Sequence, residues 1–368
     1  MQTVIGVGDP KAIKRYSIGL STDTEKQSYF AGRFIGEGEN NVIERKVDLE
    51  QDAGDRISFD LSMRLQGEGV DGDDNVEGTE ENLTFYTDEV RIDQKRKGVD
   101  AGGRMSRKRT LHDLRDTAKA RGAEWAAEWF DELIFVYLSG TLAGINEDRK
   151  VTREFAGNPI QAPDAYHQVY AGAATSKATL TAADKMNRDL VERISVMPRM
   201  MNSLNPNVVK MSPINIEAGK HFVLLMSPFQ AFDMRAQTGE TSWAAVQKAA
   251  AAAEGRNNPL FKGSLGMVNN VVLHEHENVR RFADYGAGSN VSAARALFMG
   301  RQAGVLAYGE GGTGTRFSWE EELKDAKNRV SFYIGTITGF KKTRFNGLDF
   351  GVIAVDTASA NPNPAIAP

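Results

Sequence analysis

The clearest pattern in the chain is strict alternation in "DRISFDLSMRL". Ile57, Phe59, Leu61, Met63 and Leu65 fall on one side, and Arg56, Ser58, Asp60, Ser62 and Arg64 on the other. Period-two alternation of this kind predicts a strand with one apolar face. A glycine-rich acidic stretch, "QGEGVDGDDNVEGTEEN", separates it from a second strand candidate, "LTFYTDEVRID", which carries Phe85 and Tyr86. Together they read as an extended hairpin over about residues 54–93. A two-stranded hairpin with an apolar face is marginal alone in water. No nearby segment offers a cover, so the expected cover is another subunit.

A helical period takes over at Arg107 and is expected to run to Gly140 as one spine. Leu111, Leu114, Ala118, Trp125, Trp129 and Leu133 recur at helical spacing. Asp113, Lys119, Arg121, Glu128 and Asp131 are assigned to the opposite, polar side. At 1.5 Å per residue this would be a rod of roughly 50 Å, with Gly122 as its interior weak point and a candidate bend. Its second half turns strongly apolar, so other elements must cover that end.

A second helix is expected over Thr181–Met197, with Thr181 as N-cap and Pro198 beyond its end. A compact α/β alternation follows. "KHFVLLM" reads as a buried strand, Ser227–Pro228 opens a short helix through Arg235, and Ser242–Ala253 is an alanine-rich helix. "MVNNVVLHEHENV", "ARALFMG" and "GVLAY" are strands by their β-branched and apolar content. The segment "RVSFYIGTITGFKKTRFNGLDFGVIAVDT" reads as two strands joined through an Asn346–Gly347 turn. The fold class is therefore α+β. Its order is an arm (1–40), a strand and extended hairpin (41–106), a spine domain (107–213), an inserted lobe (214–310), returning strands (311–357) and a proline-rich tail (358–368).

Charge and composition narrow the function. The formal net charge is −4, which argues against a dedicated nucleic-acid binder. There is no cysteine, hence no disulfide, thiol nucleophile or thiolate metal site. Met1–Asp9 lacks the basic start and apolar run of a secretory signal, and no apolar stretch is long enough to span a bilayer, so no membrane partner is expected.

Candidate chemistry is sparse, and no cofactor or catalytic group is expected. Gly309–Gly314, "GEGGTG", satisfies a dinucleotide fingerprint, but that motif needs a helix opening directly after it; a flexible turn is the preferred reading. Asp73, Asn75 and Glu77 resemble the start of a calcium loop, yet Thr84 stands where a bidentate glutamate is required. His274 and His276 could share a strand face and ligate a metal, but two histidines do not complete a site. Lys341–Arg344, "KKTR", is a small basic cluster of the kind that is usually solvated.

With these stretches in view, the chain resembles the major capsid proteins of tailed bacteriophages related to phage N4. The resemblance is carried by "YFAGRFIGEGENNVIERKVDLEQDAGDRISFDLSMRLQGEGVDGDDNVEG", "VRIDQKRKGV", "RALFMGRQAGVLAYG" and "GFKKTRFNGLDFGVIAVDT", in that order. It implies the Hong Kong 97-type fold: an N-terminal arm, an extended loop, a peripheral domain on a long spine helix, and an axial domain. It also implies assembly into hexamers and pentamers of an icosahedral head around double-stranded DNA. A portal protein would occupy one vertex, with separate scaffolding or decoration proteins as further partners. No proteolytic removal of an N-terminal segment is expected. Inter-subunit contacts would fall on Ile57, Phe59, Leu61, Met63, Leu65, Phe85 and Tyr86, and spine packing on Leu111, Leu114, Trp125, Trp129 and Leu133. The readings kept beside it are an encapsulin-like nanocompartment shell and, more remotely, a nucleotide-dependent enzyme using residues 309–314.

Overall fold

Asp113 decides where the spine begins. Its side chain accepts hydrogen bonds from the backbone N–H groups of Arg115 and Asp116, and the helix Leu114–Ser139 starts at the next residue. The single rod expected from Arg107 is therefore two helices. A short one spans Arg104–Arg109, Thr110 is extended, and the 26-residue spine proper is about 39 Å long. Periodicity ran through the break because both helices share a polar-rich sequence, but the short one buries no residue at all. Gly122 lies inside this continuous helix, and a Cβ there would lie 1.9 Å from Ile334 Cδ1, so the glycine lets a strand approach closely. The helix ends at Gly140, which takes a left-handed conformation (φ 67°) and donates to the carbonyls of Val136 and Tyr137.

The computed structural model describes residues 20–48, 54–62, 65, 69–72, 77–110, 113–145, 149–204, 208–216, 219–237, 265–309 and 316–363. The expected helix Ser242–Ala253 and residues Met63 and Leu111 lie outside them.

Two sheets clasp the spine. The six-stranded sheet is organised on the long strand Arg329–Lys342. Asp93–Asp100 pairs with one edge of it, running from opposite Thr338 to opposite Ser331. Gly304–Tyr308 and Phe317–Lys324 follow one another along the other edge. Ile43–Lys46 and Ile35–Gly36 add in parallel beside Gly304–Tyr308. The eight-stranded sheet has Gly219–Met226, Val271–Glu275, Val291–Met299 and Val352–Ala358 at its centre. Alternation in "HFVLLM" splits its side chains between two cores. Val223 and Leu225 face the spine's Leu133–Leu138 together with Leu306 and Phe340 of the other sheet, while Phe222, Leu224 and Met226 face the second long helix. The spine's apolar half is thus enclosed on all sides, and each of Leu133 to Leu138 is at most 1% exposed.

Two expectations are corrected here. The strands flanking Asn346–Gly347 do not pair with each other. The turn closes only a small hairpin, Arg344–Phe345 with Leu348–Asp349; Arg329–Lys342 stays in one sheet while Val352–Ala358 crosses to the other. The second helix spans Arg188–Leu204, with Pro198 inside it, rather than Thr181–Met197. Thr181 donates through its N–H and hydroxyl to Asp184, but this closes an isolated turn; Asn187, whose side chain accepts from Leu190 N–H, occupies the capping position.

The described part of the arm lies on its own chain. Asp131, assigned to the spine's polar side, is only 5% exposed and accepts from the Ser28 hydroxyl (2.7 Å), Tyr29 N–H (2.7 Å) and Phe30 N–H (3.3 Å). Burial pushes its carboxyl up to about 6 against the lowering effect of those donors. Phe30 and Phe34 are buried beside Phe135.

Candidate assembly surfaces

The hairpin is built as expected: Arg56–Ser62 pairs antiparallel with Phe85–Arg91, placing Ile57 opposite Val90, Phe59 opposite Asp88 and Leu61 opposite Tyr86. One face therefore carries Ile57, Phe59, Leu61, Tyr86 and Val90. Phe85 lies opposite Ser62, on the other face. Burial falls along the apolar face from base to tip. Ile57 and Val90 are 8% and 0% exposed, packed on Val305 and Ala307 of the six-stranded sheet. Phe59, Leu61 and Tyr86 are half-buried, with Phe59 edge-on to Phe345 at 6.2 Å. Leu65, Leu83 and Phe85 are exposed. The expectation that this row is covered only by another subunit is corrected at Ile57, which finds its cover within the chain.

Polar clamps fix the base. Asp88 interrupts the apolar face, and its carboxylate pairs with Lys341 and accepts from Arg344 N–H. The side chain of Asn158 accepts from Arg91 N–H (3.0 Å) and donates to Arg91 C=O (2.8 Å). Neither residue stood out in the sequence, although a lone aspartate at an inward position of "FYTDEV" was a usable signal. Among the described residues of the apolar face, those uncovered lie in the outer part of the hairpin. Covering a side chain such as Leu65, Leu83 or Phe85 completely would contribute roughly 1.5–3 kcal/mol each.

On the spine, Trp129 and Leu133 are buried, and Leu114 and Trp125 are half-buried. The Trp125 and Trp129 rings stack at 6.4 Å, beneath the ammonium groups of Lys97 and Lys95 respectively. They serve packing within the chain.

Of the remaining candidates, two fall partly outside the described residues and two pack within the chain. The glycine run follows the strand Gly304–Tyr308, and the next element is the strand Phe317–Lys324; residues 310–315 lie outside the described residues. The helix that would meet a pyrophosphate is replaced by a strand, which removes the basis of the nucleotide reading. Of the calcium-like loop, residues 73–76 also lie outside the described residues. His274 and His276 sit among aromatic rings of the arm and spine, His276 at 4.4 Å from Tyr29 and 4.9 Å from Phe135, and His274 at 5.2 Å from Phe34. Burial, helped by Arg33, lowers His276 to about 4, which keeps the ring neutral. "KKTR" is not solvated: Lys341 pairs with Asp88, and Lys342 and Arg344 pair with the buried Asp349.

Comparison with known proteins agrees with this architecture. A model of the phage capsid protein family matches residues 4–361. The major capsid protein of Pseudomonas phage KPP25 is 26% identical over 366 residues, covering 91% of this chain and 92% of that protein. Among solved structures, the capsid of Ralstonia phage GP4 is 54% identical with a TM-score of 0.86, covering 99% of this chain and all of that one. The capsid of cyanophage Pam1, at 24% identity and a TM-score of 0.69, covers 91% and 93% of the two chains and shares the fold. The arm, hairpin, spine and paired sheets are those of the Hong Kong 97-type α+β fold. With the match running through nearly every described element, the chain belongs to the phage capsid protein family.

Proposed function

We propose that this chain is the major capsid protein of a tailed phage, assembling as hexamers and pentamers into the icosahedral head around double-stranded DNA. The observation that carries the reading is the full-length, 54% identical match to the capsid of Ralstonia phage GP4. The hairpin supports it physically, being anchored at its base and apolar where it leaves the body. In this reading the spine and six-stranded sheet form the peripheral part of the subunit, and the eight-stranded sheet and its helices form the axial part. Many modest contacts closed by symmetry would make the shell collectively stable. Assembly takes place in the host cytoplasm, with a portal at one vertex and separate scaffolding or decoration proteins as partners.

The test is negative-stain electron microscopy of purified particles, with nuclease-protected DNA assayed on the same sample. Icosahedral shells with protected duplex DNA are expected. Uniform small shells that hold protein cargo and no DNA would instead mark a nanocompartment. Leu61→Asp is expected to leave the subunit folded, as judged by circular dichroism, and to prevent shell formation, because a carboxylate cannot be covered without a partner. Normal shells from this variant would refute the hairpin's role between subunits.

A further inference from the structure

We propose that the six-stranded sheet of one copy continues edge to edge into that of the next, with the basic strand Asp93–Asp100 lying beside the acidic strand Phe317–Lys324 of a second copy. The proposal rests on the shell-forming reading and specifies one of its contacts.

Both strands pair through one side only, each with the long strand Arg329–Lys342. Among the described residues, no strand lies along the outer side of either. Each is eight residues long, about 26 Å, so two rows of backbone N–H and C=O groups of equal length face outward.

The two edges carry opposite charge. "DQKRKGVD" places Lys95, Arg96 and Lys97 in succession, and "FSWEEELK" places Glu320, Glu321 and Glu322 in succession. Among the described residues, Lys95, Arg96, Lys97 and Arg153 take part in no ion pair. Burial, with the like charges of Arg153 and Lys97, lowers the Lys95 ammonium, so this cluster lacks a counter-charge of its own. On the acidic edge, Glu321 is engaged by Arg115 within the chain. Glu320 is exposed and in no ion pair among the described residues, and Glu322 meets Lys324 and the Tyr333 hydroxyl at the surface. Surface pairs of that kind are weak and readily exchanged.

The faces match as well. Arg96 stands opposite Gly335, which stands opposite Ser318, so a continued sheet puts Arg96 on the same face as Glu320 and Glu322. Charge on an edge strand serves first to keep it from pairing with its like. Separating the two signs onto two edges does more: it rejects basic with basic and acidic with acidic, and admits only the unlike pair. The contact is therefore head to tail, and its repetition closes a ring in which every copy uses both edges. A phosphate backbone would answer the basic edge alone and leave the acidic edge and the backbone rows unpaired, so a second copy fits better than duplex DNA.

The chain has no cysteine, which makes disulfide trapping unambiguous. Within one chain the two edges are separated by the strand between them, roughly 10 Å sideways, too far for a disulfide. Oxidised shells of Arg96→Cys with Glu320→Cys, or of Arg96→Cys with Glu322→Cys for the next same-face register, are expected to give a ladder of cross-linked chains on a non-reducing denaturing gel. Arg96→Cys alone and Glu320→Cys alone are expected to stay uncross-linked. Charge exchange gives a second reading. Arg96→Glu is expected to cut shell yield at least ~tenfold, and adding Glu320→Arg with Glu322→Arg to restore it to within about twofold, because like charges at an interface are rejected and reversed pairs accepted. Circular dichroism should show these variants folded, since all three side chains are exposed. No cross-linked chains in both double variants, cross-linking in either single variant, normal shells from Arg96→Glu, or no recovery in the combination would overturn the proposal. Normal shells from Arg96→Glu that have lost only their DNA would overturn it in favour of a DNA contact. If the unaltered chain forms no shells, the shell-forming reading fails and takes this contact with it.

Discussion

Asp356→Ala offers the most direct test of what holds the two halves of the molecule together. Asp356 is fully buried, directly opposite Arg295 across two central strands of the eight-stranded sheet. Its carboxylate takes both Arg295 Nε (2.7 Å) and Nη2 (2.8 Å), the Tyr285 hydroxyl (2.9 Å) and Gln168 Nε2 (2.9 Å). Arg295 then reaches through Nη1 to the carbonyl of Ser139, in the last turn of the spine (3.0 Å). Burial alone would lower the Arg295 pKa, but Asp356 and Tyr285 together hold it above that of a free arginine. Removing the carboxylate leaves a guanidinium that is 8% exposed without its counter-charge, and two further donors without an acceptor. Breaking a buried pair from one side costs about 3–5 kcal/mol. The double replacement Arg295→Met with Asp356→Leu removes the stranded charge. It leaves only neutral groups unpaired, at about 1–3 kcal/mol, so it should be more stable than Asp356→Ala alone. The assay is urea unfolding of the unassembled subunit followed by tryptophan fluorescence, with Trp125 and Trp129 on the spine as reporters. A loss below about 1 kcal/mol for Asp356→Ala, or a double variant weaker than the single, would refute the assignment of this pair as the tie between sheet and spine.

Two further outcomes follow from local geometry. Gly140→Ala should destabilise by at least about 2 kcal/mol in the same urea assay, because an L-residue is strained at φ 67° and its Cβ would lie 2.2 Å from the Gln161 carbonyl oxygen. For Asp164, burial raises the carboxyl, but His167 and the amides of Tyr166 and Asp349 outweigh it and hold it down at about 2. A depressed carboxylate contributes stability that is complete above its unfolded value near 4 and is lost as pH falls through 2. Asp164→Asn should therefore cost about 2 kcal/mol at neutral pH and almost nothing at pH 2, measured as the difference in urea midpoint from the unaltered chain.

Much of this was legible along the chain, because the features concerned are local. The alternation at Ile57–Leu61, the spine's apolar second half, the strand "KHFVLLM" and the proline-started helix after Ser227 depend on side-chain period and capping chemistry within a few residues. The resemblance extended this to the fold, since the quoted stretches recur in order. Three things needed the tertiary structure. Asp131 reads as a surface residue until the arm's backbone N–H groups arrive from a hundred positions away. Asn346–Gly347 marks a turn correctly, but a turn does not say which strands the flanking segments will pair with, and here they part to different sheets. Ile57 belongs to an apolar row in sequence; whether its cover comes from the same chain or from another depends on where Val305 and Ala307 stand. Period and capping act over one or two turns of chain and so are written in the sequence. The choice of partner surface is a long-range packing decision, taken only when distant segments compete to bury the same apolar face.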